Sequence, residues 1–197
     1  MKKEKDSDRV LEGAVFALCA KDDITGADGK VILKADTMIE ELATDKEGKL
    51  TFTADLPIGF AYYIKETSPA SGFATTDETQ EFTFEYGGAE KEKISYAFTF
   101  EDEPTVIEIT KTSLTDGKEL EGAKLQVTDE SGKVVDSWTS GKDAHIIKEL
   151  VVGQKYTLTE TKPADGYVTA ESITFTVENT AEVQKVEMKD DVTKVEI

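Results

Sequence analysis

Lys111, Glu160 and Asp190 occupy strand positions where the surrounding pattern calls for apolar side chains. In "VIEITKTS" the apolar phase runs through Ile107 and Ile109, and the next residue on it is Lys111. In "YTLTETK" the phase runs through Tyr156 and Leu158 to Glu160, and in "VEMKDD" through Val186 and Met188 to Asp190. Residues of equal parity share one strand face, so all three ionisable groups are directed into a core. One such residue at a strand end is ordinarily a buried salt bridge or a side chain reaching solvent. Three together make a chemical cluster. A lysine with two carboxylates in a low-dielectric interior carries an excess negative charge, which favours a proton held on one acid. Desolvation further favours the neutral amine, a nucleophile, and the neutral carboxyl, an electrophile. Held in contact, such a pair reacts with an effective molarity of about 10^5 M or more. The expected product is an amide joining the Lys111 side chain to Asp190 with loss of water. Glu160, on an interior strand, is placed to shuttle protons and stabilise the tetrahedral centre. Lys118 falls in a turn, Lys124 alternates with Ala123 and Leu125 and so points outward, and the single asparagine, Asn179, sits in a turn.

The cluster has a second copy. Tyr62, Ile64 and Glu66 repeat the glutamate strand, and Phe98, Phe100 and Asp102 repeat the aspartate strand. Lys111 lies eleven residues before Gly122, and eleven residues before Gly13 lies Lys2, with Lys3 and Lys5 beside it as alternatives. These matches belong to a longer internal repeat. "YYIKETSPASGF" at 62–73 answers "YTLTETKPADGY" at 156–167, and "LEGAVFAL" at 11–18 answers "LEGAKLQV" at 120–127. "FTFEDEPTVIEI" at 98–109 aligns without a gap to "VEMKDDVTKVEI" at 186–197. The first unit therefore spans 1–104 and the second 105–191, with 192–197 resembling the opening strand of a further unit or a tail.

The elements that must position these residues are strands. In the second unit, period-two alternation between turn signals gives strands at 106–112, 123–128, 134–139, 145–150, 155–160, 172–178 and 183–190. Short strands with turns every eight to twelve residues indicate a small immunoglobulin-like β-sandwich, so the expected fold is all-β, two sandwiches in tandem. The first unit carries an insertion near 20–37, expected to be a hairpin or long loop.

Composition bounds the function. With 23 basic and 41 acidic residues the net charge is −18, so a nucleic acid would be repelled. No run is long and apolar enough to insert in a bilayer, and "MKKEKDSDRV" holds no signal-peptide segment, so a surface location requires that the sequence be an excerpt. The only cysteine, Cys19, excludes an intramolecular disulfide, and the only histidine, His145, leaves little material for a histidine-based triad. Both read as strand residues, Cys19 inward and His145 on the polar face. "KDDITGADG" at 21–29 lacks the spacing of a calcium loop. No metal or cofactor is expected, and no enzyme with turnover.

Through "LEGAVFAL" and "LEGAKLQV", the "ETxPxxG" box and the closing "FTFEDEP" and "VEMKDD", the sequence resembles the CnaB-like, or SpaA-type, domains of Gram-positive surface adhesins and pilins. The resemblance implies a transthyretin-like (prealbumin-like) sandwich and an autocatalytic isopeptide bond between a first-strand lysine and a last-strand Asn or Asp, assisted by a strand glutamate. Carried to this sequence, the residues are Lys2, Glu66 and Asp102, and Lys111, Glu160 and Asp190. Both acceptors are aspartate, which implies release of water and not ammonia. The function implied is a rigid stalk module of a cell-wall-anchored adhesin or pilin, extracellular, monomeric as a fragment, its partners the neighbouring domains of the same polypeptide. A host-matrix or carbohydrate-binding role is the alternative, resting on the insertion and the aromatics around "IGFAYY".

Overall fold

Alternating burial runs through most strands of the computed structural model, which describes residues 1–85 and 94–193. The chain divides into two units, Met1–Glu103 and Pro104–Ile197, and no helix occurs among the described residues. The first unit contains β1 (Lys2–Glu4), β2 (Val15–Ala20), β3 (Ile24–Thr25), β4 (Val31–Leu33), β5 (Met38–Ala43), β6 (Ala61–Ser68), β7 (Thr79–Thr83) and β8 (Phe100–Asp102). A four-stranded antiparallel sheet has the order β5-β2-β6-β7, and β1 and β8 form a parallel pair. Phe16, Leu18, Tyr62 and Ile64 from the sheet share a core with Phe100 of the pair, and the Phe16 and Phe100 rings lie 4.9 Å apart. The insertion forms a short hairpin of β3 and β4.

Gly48 fixes the start of this unit. Its carbonyl accepts from the Lys2 N–H at 2.7 Å, and its φ of +66° is one that side-chain-bearing residues rarely adopt. A Cβ there would stand 2.6 Å from the Lys2 carbonyl oxygen and 2.8 Å from Val10 Cβ. Gly13 also has positive φ, +83°, but a Cβ there meets nothing within 4 Å. Gly48→Ala is therefore expected to destabilise the first unit more than Gly13→Ala does, which itself costs on the order of 1 kcal/mol. Equal denaturation midpoints for the two variants would contradict this.

The second unit contains β9 (Val106–Ser113), β10 (Lys124–Asp129), β11 (Val134–Thr139), β12 (His145–Lys148), β13 (Lys155–Lys162), β14 (Ile173–Thr176) and β15 (Val183–Asp190). Two sheets, β11-β10-β13-β14 and β12-β9-β15, enclose one core. Ile107, Ile109, Ile147, Val186 and Met188 pack there against Leu125, Val127, Tyr156 and Leu158. The strand expected over 145–150 stops at Lys148, because Glu149 has φ of 62° and turns the chain out of extended geometry. The strand expected over 172–178 is shortened to Ile173–Thr176. Of the segment at 192–197, Val192 bridges to Tyr167, and residues 194–197 lie outside the described residues.

Candidate functional site

The first and last strands of each unit are parallel neighbours, and their register creates the site. In the second unit Lys111 stands opposite Met188, which leaves Asp190 two residues further along β15 on the same face. In the first unit Lys2 stands opposite Phe100, with Asp102 again two residues further on. The glutamates come from the opposing sheet: Glu160 on β13 pairs with Leu125 of β10, and Glu66 on β6 with Phe16 of β2. Each cluster thus spans its sandwich. The "LEG" landmark has a part in this, since Leu11 N–H donates to the Lys2 carbonyl and Leu120 N–H to that of Lys111.

All six side chains are buried. Lys2 is 0% exposed and Lys111 2%, well below what an unpaired ammonium tolerates. Lys2 Nζ lies 3.0 Å from Glu66 Oε1 and donates to Asp102 Oδ1. Lys111 Nζ lies 3.0 Å from Glu160 Oε1 and donates to Asp190 Oδ1. The neighbouring lysines do not enter: Lys3 lies 3.9 Å from Asp8, and Lys5 pairs with Glu103 at the surface. Lys118 and Lys124 are exposed.

The electrostatics favour protonated acids. Burial, then the adjacent Asp102 carboxyl, push Glu66 up to about 7, against the Thr76 N–H and Lys2, which pull it down. Burial likewise raises Asp102 and Asp190 above the usual carboxylate range. In each unit one oxygen of the glutamate and one of the aspartate, Glu66 Oε1 with Asp102 Oδ2 and Glu160 Oε1 with Asp190 Oδ2, are buried without a hydrogen bond. A proton shared between the two carboxyls would supply the missing bond, since a protonated carboxyl is a donor and a carboxylate only accepts. The arrangement is suited to amine attack on a protonated carboxyl with a second acid in reach.

One feature of the site escaped the reading of strand parity. The second oxygen of each glutamate is held by a backbone amide ten residues on: Thr76 N–H to Glu66 Oε2 at 2.9 Å, and Ala170 N–H to Glu160 Oε2 at 2.8 Å. The signal was present in the repeated box, whose equal length fixes the same offset in both units. His145, expected on a polar face, is half-buried, stacked on Trp138 with centroids 4.0 Å apart and with Nε2 2.8 Å from Asp136. Cys19 is buried.

The family model for the SpaA prealbumin-like fold domain matches residues 1–97 and again residues 105–192. The chain belongs to that family. Its two copies of the SpaA domain coincide with the two sandwiches, each with one lysine, glutamate and aspartate cluster. Comparison with curated proteins returns no match. Among solved structures, the Bacillus anthracis TIE protein is 25% identical over 98% of this chain with a TM-score of 0.51, and this chain spans 33% of that one. The C-terminal fragment of the pilus adhesin SpaC from Lactobacillus rhamnosus GG is 16% identical, with 100% of this chain and 98% of that one covered and a TM-score of 0.50. The shaft pilin SpaA from Lactobacillus rhamnosus GG is 16% identical over 95% of this chain and 90% of its own, with a TM-score of 0.42.

Proposed function

We propose that the two SpaA-type units are stalk modules of a Gram-positive surface adhesin or pilin, each closed by an amide between its first and last strands. The observation that carries this reading is a fully buried lysine between two carboxyls, repeated in both units with the same register. In each unit the neutral lysine amine attacks the protonated aspartate carboxyl. The protonated glutamate gives its proton to the departing hydroxyl and takes one from the amine nitrogen, so an N–C bond forms, a C–O bond breaks and water leaves. The reaction is a single self-modification without turnover, and Lys111, Asp190, Lys2 and Asp102 are consumed by it while Glu160 and Glu66 are not.

The mechanical logic supports the same reading. Tension applied along the polypeptide enters a unit through its first strand and leaves through its last, which lie side by side in parallel. An amide between them carries the load directly and shields the chain between Lys111 and Asp190, which are 79 positions apart. With Cys19 the only cysteine, no intramolecular disulfide can do this outside the cell.

Intact mass under denaturing conditions is the test. The expected mass is that of the sequence less two waters, and peptide mapping is expected to return Lys111 joined to Asp190 and Lys2 joined to Asp102. The unmodified mass would overturn the proposal.

A further inference from the structure

The two clusters have the same charged groups and different walls. In each, the lysine Nζ lies 3.0 Å from one glutamate oxygen and donates to one aspartate oxygen, so the carboxyl surroundings of the two amines are matched. The side chains behind them are not. Phe16 of β2, paired in register with Glu66, lies with its ring beneath Lys2 Nζ, 5.3 Å from nitrogen to centroid. The Phe100 ring of β8 packs against it at 4.9 Å with a tilt of 47°. By the alignment of "LEGAVFAL" with "LEGAKLQV" and of "FTFEDEP" with "VEMKDDV", the counterparts in the second unit are Leu125, paired with Glu160, and Met188. All four side chains are buried. The first unit therefore offers its lysine a π face where the second unit has aliphatic and thioether groups.

We propose that Phe16 is a brake on amide formation in the first unit, holding Lys2 as the ammonium so that the Lys2–Asp102 bond forms later than the Lys111–Asp190 bond. The inference rests on the amide reading given above and concerns the timing of that same reaction. The negative face of an aromatic ring attracts a cation and gives a neutral amine nothing comparable. Attack requires the neutral amine, whose lone pair makes the N–C bond to the Asp102 carboxyl carbon as the C–O bond breaks and water leaves. Before attack the ammonium passes one proton to a carboxylate of its own cluster, and the cation–π contact is lost with it. The nitrogen regains only part of its charge in the transition state, so the ring stabilises the resting cluster more than the reacting one. In a site closed to water such a contact weights the ammonium by about three- to thirtyfold, and the rate falls by a similar factor. Leu125 exerts no such pull on Lys111. One aromatic residue between otherwise matched clusters thus sets the order in which the two units close.

Refolding of the full 197-residue chain, assembled unbonded by chemical ligation in denaturant, tests this. Samples are quenched in acid at intervals, and peptide mapping assigns each lost water to its unit. The second unit is expected to close first. Phe16→Leu, which copies the second unit, should speed the first unit's bond by about three- to thirtyfold and leave the Lys111–Asp190 rate unchanged. Progressively fluorinated phenylalanines at position 16 keep the shape of the wall and remove its negative face in steps, so the test does not depend on the leucine variant folding. The first unit's rate should climb along that series, whereas a ring that only packs would give no trend. A first unit that closes as fast as the second in the wild-type chain, or a rate indifferent to fluorination, overturns the proposal and leaves the amides in place. A chain that sheds no water from either unit overturns the amide reading, and the brake with it.

Discussion

Glu160→Gln is expected to leave the second unit without its cross-link, so that the purified protein is lighter than its sequence by one water and not two. The substitution is chosen for what it keeps. A glutamine retains an oxygen to accept the Ala170 N–H, which now holds Glu160 Oε2 at 2.8 Å, and it retains the volume of the buried side chain. It loses the ability to take a proton from the Lys111 amine and return one to the departing hydroxyl. The structural consequence is large because the bond closes a loop of 79 positions. Treated as a disulfide of that span, it restricts the unfolded chain by about 4.5 kcal/mol, and for a unit of this size its loss lowers the melting temperature by roughly 20 °C or more. Asp190→Asn provides the positive counterpart. An asparagine loses ammonia where an aspartate loses water, and the amide left behind is identical, so that variant should finish at the wild-type mass. If Glu160→Gln still sheds two waters, Glu160 is not the proton shuttle. If Asp190→Asn finishes one water heavier than wild type, to within the acid-to-amide difference, the acceptor must be protonated as an acid and cannot be an amide.

Much of this was legible before any coordinate, for a reason particular to strands. Period-two geometry converts a residue's number into a face, so Lys111, Glu160 and Asp190 could each be placed inward from their neighbours alone. The internal repeat then supplied a second cluster and pointed to Lys2, and the structure buries Lys2 while Lys3 and Lys5 face Asp8 and Glu103. Parity cannot report which strands are adjacent. That β9 and β15 run side by side in parallel, and that the glutamate crosses from the other sheet, follow from long-range pairing that no local pattern encodes. Backbone groups are also silent in a parity reading. The Thr76 and Ala170 amides that orient the glutamates carry no side-chain signature, and only the constant ten-residue offset marks them. The end of β12 was misplaced for a similar reason, since Glu149 adopts positive φ without the glycine that usually announces it.

Bond formation in the first unit should slow as pH rises above about 7, the reverse of ordinary amine chemistry. In free solution an amine becomes more reactive as it is deprotonated, so its acylation accelerates through alkaline pH. Within the cluster the proton count decides. The reactive arrangement, a neutral amine with two protonated carboxyls, holds the same number of protons as an ammonium with one protonated carboxyl and one carboxylate, so the two interconvert without solvent. Glu66 is the group that releases the next proton, because burial and the Asp102 carboxyl raise it to about 7. Once that proton is lost the cluster settles as an ammonium between two carboxylates, with no electrophile and no nucleophile. The rate should therefore fall about tenfold per unit above about pH 7. Stability before the bond forms follows the same sign. Between the ordinary glutamate value of 4.5 and about 7 the folded unit holds a proton that the unfolded chain has released, so the unbonded fold weakens as pH rises through that window. The measurement starts from denatured, unbonded protein, refolds it at a series of pH values, quenches in acid at intervals and reads intact mass. A rate that climbs steadily through pH 7 would mean that deprotonation of the lysine, and not retention of the carboxyl proton, controls the chemistry.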